Sequence, residues 1–559
     1  MRPGCQRAAR TSKTSSPDGC QSPTLWRDER GVTSVVFGIL FAVLLLATAI
    51  AIDYTRATHE SLRQQHAIDA AALAASHRLG LPDQDETGPA VAEAFFRENM
   101  GEGSTAQIEI ELDAAAGTVR AWSQNDLAMT LMRANVKEEH RRESLNISAR
   151  TTVVKGSGTL EVAMALDNSG SMAGSPINAL KDAARDLVNI VFAGAEGTDD
   201  VRVGIVPFAA SVNVGSSMRS QGWIYQDRES DLPFPLFTGN ASRFDILSQM
   251  NQNWRGCVEA RPAPFDTLDT PPDPGNINTM FVPMFAPDEP NDENATNAGY
   301  SASGGDASGY PNNYLTDFGG TCPPPAQQCV AWRTVGGVRS CRTWAPVPIG
   351  VVDAQRRACK YQGASPSTFQ GSASGPHAAC TTPPILDLTE IKRDVEDAID
   401  ALVANGNTNI SEGTMWAWRL LSPGAPFTRA RAYNAPDNRK FLIVMTDGDN
   451  FLGAKSQHNR SVYGAYGYGS QNRLGTTYTQ NGYMNALNAK TLAACTNAKA
   501  QGITVYTVAF GDEISSTGLT LLRNCATNPD RAYIAADEAA LIQAFQTIGR
   551  EIAKLRVSS

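Results

Sequence analysis

The chain has 559 residues, length for roughly three to four domain-sized units. With 42% hydrophobic and 19% charged residues its composition is globular. A net charge of -9, with no Lys/Arg-rich stripe interleaved by aromatics, argues against a nucleic-acid binder.

Residues 1–30 are polar and carry Arg2, Arg7, Arg10, Lys13, Arg27 and Arg30, which reads as a disordered leader. Gly31 to Ile52 then runs without a charge, long enough to span a bilayer core. Ala47-Thr-Ala49 resembles a signal-peptide cleavage site, but the apolar run is long for a signal, so residues 31–53 read as a retained transmembrane helix. The basic leader points inward and places everything after Asp53 outside the cytoplasm. Ser61 to Ala75 is rich in Ala and Leu, so the helix is predicted to continue to about Arg78. Val91–Phe96 looks helical, while Gln107–Leu112, Thr118–Trp122 and Leu145–Val154 alternate apolar and polar residues as half-buried strands do. Residues 54–155 thus read as a helical and α+β stalk, closed by Gly156-Ser-Gly158.

Leu160 to Leu166 is a short apolar run, a buried strand, and it stops at Asp167-Asn-Ser-Gly-Ser171. A helix opens at about Pro176, so a carboxylate and two hydroxyls stand at the carboxyl end of a strand, where open α/β sheets place ligands. Alone, Asp167-x-Ser169-x-Ser171 is equally a turn and helix cap. Val201–Val206 is a further strand, with Ser211–Val214 a candidate antiparallel neighbour. Residues 221–385 are rich in Pro, Gly, Asn and Ser and read as an insertion. Leu386 to Ala404 has helical spacing, and Asn405-Gly-Asn-Thr-Asn409 leads into another helix ending near Leu421. Lys440–Thr446 is a second buried strand and ends in Asp447-Gly-Asp-Asn450. A Tyr/Gly/Asn-rich loop, Phe451 to Gly482, suits an exposed recognition surface or a plain flexible loop. Helix, strand and helix follow to the end: Met484–Gln501, Ile503–Val508, Ala532–Ala535 and Asp537–Leu555.

The D-x-S-x-S, the Thr of the Asn405–Asn409 loop and the strand ending in T-D-G together resemble the von Willebrand factor A domain and its metal-ion-dependent adhesion site, over residues 156–220 and 386–559. The resemblance implies a doubly wound, mainly parallel α/β sheet. It also implies a divalent cation (Mg²⁺, or Mn²⁺ or Ca²⁺) held by Asp167, Ser169, Ser171, Thr408 and Asp447, with one position left for an acidic group of a ligand. Asn407 departs from the pattern, since many relatives have a second Gly there. The physics agrees: two carboxylates at one sheet edge repel unless a proton or cation intervenes. Arg27-Asp-Glu-Arg-Gly31, the apolar span and the Gln65-x-Ala67-x-Asp69-Ala-Ala-Ala-Leu-Ala-Ala75 pattern are similar to the amino end of Tad-type (Flp) pilus-assembly proteins, and with the downstream domain to their TadG-like group. That implies a bacterial inner-membrane protein with other pilus or secretion components as partners, its anchor helix either packing on partner helices or standing alone.

Eight cysteines follow the anchor, an even set on the exported side as a disulfide framework requires. Cys495 and Cys525 flank the Ile503–Val508 strand and are predicted to pair, which leaves Cys257, Cys322, Cys329, Cys341, Cys359 and Cys380 to staple the insertion. Zinc is the weaker reading, because no C-x₂-C occurs and the histidines do not cluster. An enzyme is also weaker, since no nucleophile elbow, phosphate loop or H-E-x-x-H is present. A metal-dependent hydrolase built on Asp167 and Asp447 would need a general base, for which Asp449 is the nearest candidate. A purely architectural scaffold of an envelope complex has no physical need for the five-ligand set.

Overall fold

The computed structural model describes residues 30–557 except 77, 80–83, 102–103, 114–116, 129–143, 155–157, 194, 196–197, 291–309, 325, 348 and 365–373. The basic leader up to residue 29 and most of the glycine-serine end of the stalk therefore lie outside the described residues. Two compact units divide the chain, Met1–Val154 and Lys155–Ser559.

In the first unit, α1 (Arg30–Ser76) is a single helix. Its amino half exposes Val35, Phe37, Ile39 and Leu44 and is long and apolar enough to cross a membrane. Its carboxyl half buries Ala67, Ile68, Ala71, Ala72 and Ala75, one face at helical spacing. That face packs with α2 (Gln84–Met100) and an antiparallel sheet of β1 (Gln107–Asp113), β2 (Thr118–Ala128) and β3 (Ser144–Val154). Gln64, buried on the same helix, donates from Nε2 to Ser123 Oγ at 2.9 Å, which satisfies a polar pair inside the seam.

The second unit begins with β4 (Thr159–Asp167), α3 (Ser175–Phe192), β5 (Val201–Phe208) and β6 (Val212–Asn213). Then come α4 (Arg243–Gln249), β7 (Cys257–Val258), the hairpin β8 (Gln327–Val335) and β9 (Val338–Pro346), and α5 (Val351–Arg356). The rest is β10 (Leu386–Thr389), α6 (Lys392–Asp400), α7 (Ile410–Leu421), β11 (Asn438–Thr446), α8 (Gln480–Ala500), β12 (Thr504–Phe510), α9 (Ser516–Cys525), β13 (Ala532–Ala535) and α10 (Glu538–Val557). The sheet runs β13-β12-β11-β4-β5-β6-β7, and β10 also pairs with β5. From β13 to β5 all pairings are parallel, whereas β6, β7 and β10 add antiparallel edges. Strand periodicity distributes the core. Leu160, Val162, Met164 and Leu166 of β4 face a cluster with α3 and α10, while Ala163 and Ala165 face α7 on the other side. This is a doubly wound, mainly parallel α/β sheet.

Residues 221–385, read above as an insertion, share this core. Trp223, Phe237, Phe281, Phe285 and Tyr361 join the same cluster as Trp416, Leu442 and Val444. Disulfides link Cys257 to Cys380, Cys322 to Cys359 and Cys329 to Cys341 in the insertion, and Cys495 to Cys525 between α8 and α9.

Three local readings change. The helical spacing from Leu386 is broken: Leu386 and Thr389 pair with Ile205 and Val203 as a strand, and the helix is confined to Lys392–Asp400 with Ile391 exposed. Sheet pairing there overrides helix propensity. In the Phe451–Gly482 loop only Tyr478 of the four tyrosines from Tyr463 to Tyr478 is exposed, while Tyr463, Tyr466 and Tyr468 are buried. Finally, α9 and the β8–β9 hairpin, which turns on Gly336 and Gly337 at φ 59° and 83°, are elements the sequence reading lacked.

Candidate metal centre

β4 and β11 are neighbours in parallel register, with Leu166 beside Met445, so both strands deliver their last residues to one edge of the sheet. Beyond that edge the chain is latched. Gly170 N donates to Gly406 O at 2.8 Å, and Asn405 N donates to Asn168 O at 2.7 Å, joining the two loops that carry the hydroxyls. Gly406 sits at φ 102°, a backbone conformation that favours glycine, which lets the second loop turn back. The loop then enters α7, whose Asn409 side chain caps the helix by accepting from Glu412 N at 3.2 Å.

These elements gather Asp167, Ser169, Ser171, Thr408 and Asp447. Ser169 N donates to Asp167 Oδ1 at 2.7 Å, and the Ser169 and Ser171 hydroxyls lie 3.0 Å apart. Ser171 Oγ donates to Asp447 Oδ1 at 2.7 Å. Thr408 closes the group: a Cβ built on Gly448 would stand 4.0 Å from both Ser171 Oγ and Thr408 Oγ1. Asp167, Ser169, Thr408 and Asp447 are buried. Sequence reasoning missed Thr446, which donates to the other oxygen of Asp167 at 2.5 Å, and Asn450, whose Oδ1 accepts from Ile410 N at 2.8 Å. The polar run Thr446–Asn450 after an apolar strand was the available signal. Asp449 Oδ1 is buried without a hydrogen-bond partner among the described residues.

Burial pushes the Asp167 carboxyl up to about 7, with the nearby Asp447 carboxylate adding to it and hydrogen bonds from Thr446 and Ser169 pulling the other way. Asp447 is also raised, again chiefly by burial. The group is thus two desolvated carboxylates beside three hydroxyls, all hard oxygen donors of the kind that hold Mg²⁺, Mn²⁺ or Ca²⁺. Among the described residues no group of three or more His, Cys, Asp or Glu side chains is placed to hold a metal ion.

A pH dependence follows from Asp167. Its folded-state value is above its ordinary one, so the metal-free fold binds an extra proton between pH 3.8 and about 7. Stability is fully present below that window, falls as pH rises through it and is level above it. Thermal unfolding of the metal-free chain at a series of pH values is expected to show this slope, and Asp167→Asn to flatten it. An unchanged slope in the variant would assign the effect elsewhere.

Residues 31–78 match the family model described as "Putative Flp pilus-assembly TadE/G-like". No curated protein matches the chain. Among solved structures, the pilus adhesin SpaC from Lactobacillus rhamnosus GG is 11% identical with a TM-score of 0.30, covering 80% of this chain and 34% of that one. This chain therefore spans about a third of that adhesin's length. The vWF domain of the type V pili tip protein Mfa5 from Porphyromonas gingivalis is 10% identical with a TM-score of 0.30, covering 72% of this chain and 97% of that one. Proximal thread matrix protein 1 from the mussel byssus, with a zinc-occupied MIDAS motif, is 12% identical with a TM-score of 0.26, covering 71% and 47%. Residues 31–78 thus match the Flp pilus-assembly TadE/G-like family model, and that segment precedes a doubly wound, mainly parallel α/β sheet.

Proposed function

We propose that this is a membrane-anchored Tad/Flp pilus-assembly or adhesion protein whose external A domain binds an acidic group of a protein or surface through a divalent cation. The observation that carries this reading is the convergence of Ser171 on Asp447 at 2.7 Å, 276 residues apart in sequence, beside buried Asp167. Asp167, Ser169, Ser171, Thr408 and Asp447 would hold the cation, directly or through water. When bound, the cation supplies positive charge and an open coordination position for a carboxylate. The chain's own part is to keep two carboxylates desolvated and to fix the hydroxyls by the Asn168–Asn405 and Gly170–Gly406 latches. Recognition rather than catalysis suits this donor set.

In this reading residues 1–30 are the cytoplasmic leader, 31–53 the single span of the bacterial inner membrane, and 54–155 the stalk. Residues 156–220 and 386–559 form the A domain on the far side, and 221–385 set which ligand reaches the cation. Other pilus or secretion components are the partners, recruited through the exposed apolar half of α1. In a bacterium that assembles such pili, surface attachment is expected to require Mg²⁺ and to fall in an Asp447→Ala strain to the level of chelator-treated cells. Attachment that persists in that strain, with normal amounts of the chain, would rule the reading out.

A further inference from the structure

Lys360 lies on a helical turn beside Cys359, with its side chain wholly buried and two wholly buried carboxylates before it. Its Nζ is 2.6 Å from Asp288 Oδ2, 3.1 Å from the Asp288 carbonyl oxygen and 3.4 Å from Asp317 Oδ1. The other carboxyl oxygen, Asp288 Oδ1, accepts two backbone N–H groups, from Tyr314 and Leu315, each at 2.6 Å. Tyr361 adjoins the trio, its hydroxyl accepting from Asp288 N at 2.8 Å, and its ring meets those of Phe237, Phe285 and Tyr314 at 5.3–6.4 Å. Water is excluded, and burial raises the Asp288 carboxyl toward its protonated form.

An ion trio of this kind is costly in a dry interior, because desolvation offsets most of the Coulomb attraction. Condensation removes the cost by turning one cation and one acid into a neutral amide. The parts for it are in place. An amine is held 2.6 Å from one oxygen of the acid, two N–H donors face the other oxygen, which would carry developing charge, and a second carboxylate is within reach of the amine proton.

We propose that Lys360 and Asp288 join as an intramolecular isopeptide bond, with Asp317 carrying the protons. The Lys360 ammonium first gives a proton to Asp317. The neutral Nζ then attacks Cγ of protonated Asp288, the Nζ–Cγ bond forms, and Oδ1 holds the negative charge against the N–H groups of Tyr314 and Leu315. Asp317 returns its proton to Oδ2, the Cγ–Oδ2 bond breaks and water leaves, and Asp317 takes the remaining excess proton from nitrogen. Nothing is oxidised or reduced, and no co-reactant is needed. The bond would tie the Ala286–Pro290 segment to the Ala358–Tyr361 turn and, unlike the Cys322–Cys359 link beside it, would survive reductant.

The test is tryptic digestion of the full chain after reduction of its disulfides, read by tandem mass spectrometry. The expected result is a branched peptide joining the Asp288 and Lys360 segments, lighter by one water than its two arms, with no cleavage after Lys360. Asp317→Asn is expected to yield the two linear peptides at full mass. Linear peptides only from the parent chain, with cleavage after Lys360, would overturn the proposal. A water lost without a branched peptide, as a cyclic imide at Asp447–Gly448 would give, counts equally against it. A branched peptide of the same yield in Asp317→Asn would overturn the role given to Asp317.

Discussion

Replacing Cys257 and Cys380 together by serine is expected to lower the stability of the Lys155–Ser559 unit by about 2–5 kcal/mol. The pair closes the longest disulfide loop described, with a sequence separation of 123. In the chain-entropy picture a long loop constrains the unfolded ensemble most. Its ends also matter in the folded state. Cys257 stands in β7, which extends the sheet beyond β6, and Cys380 stands next to Thr381, whose hydroxyl donates to Asn405 O at 2.8 Å in the loop before Thr408. Loss of the bond should therefore loosen the loop that carries a proposed ligand as well as the insertion. Urea unfolding of parent and double variant checks this; coincident midpoints would mean that the shared aromatic core alone fixes the insertion.

Trp416→Ala is expected to cost about 3–5 kcal/mol, the range for truncating a large buried aromatic. Trp416 is 0% exposed on α7, two turns after Thr408. Its ring lies 4.7 Å from Phe281 of the insertion and 6.1 Å from Phe427, and its Nε1 donates to Glu412 Oε2 at 3.1 Å. Truncation opens a cavity where residues 221–385 meet the parallel sheet and removes the donor to a buried carboxyl, which adds a desolvation cost. Trp416→Phe keeps most of the ring volume and loses only that donor, so the smaller variant should lose distinctly more. Equal losses in the two variants, measured by the same urea titration, would place the cost in the hydrogen bond and not in packing.

Much of this architecture was legible in the chain because period and punctuation agreed. The apolar runs ending at Leu166 and Thr446 are strands buried on both faces, and the polar residues after each can only lie at the sheet edge. The two loops carrying Ser169, Ser171 and Thr408 were legible as motifs, but their mutual latch was not, since the contacts from Asn168 to Asn405 and Gly170 to Gly406 depend on topology. Thr446 escaped for a related reason: a threonine closing a β-strand reads as β propensity, and only register places it against Asp167. The insertion was the least legible part. Its aromatics have no period of their own, because they complete a core begun by α7 and β11 rather than a repeat within the segment. Tyr463, Tyr466 and Tyr468 misled for the same reason, their polar hydroxyls concealing buried rings.

The proposed cation site is tested most directly by thermal unfolding of the full chain in detergent, titrated with Mg²⁺ and Mn²⁺ beside the Asp447→Ala variant. Binding to the folded state alone adds about 2.7 kcal/mol at a hundredfold excess over Kd. A rise in Tm with either ion in the parent, absent in Asp447→Ala, is the result predicted. No rise in the parent up to millimolar metal, or the same rise in both proteins, would contradict a cation held by Asp167, Ser169, Ser171, Thr408 and Asp447.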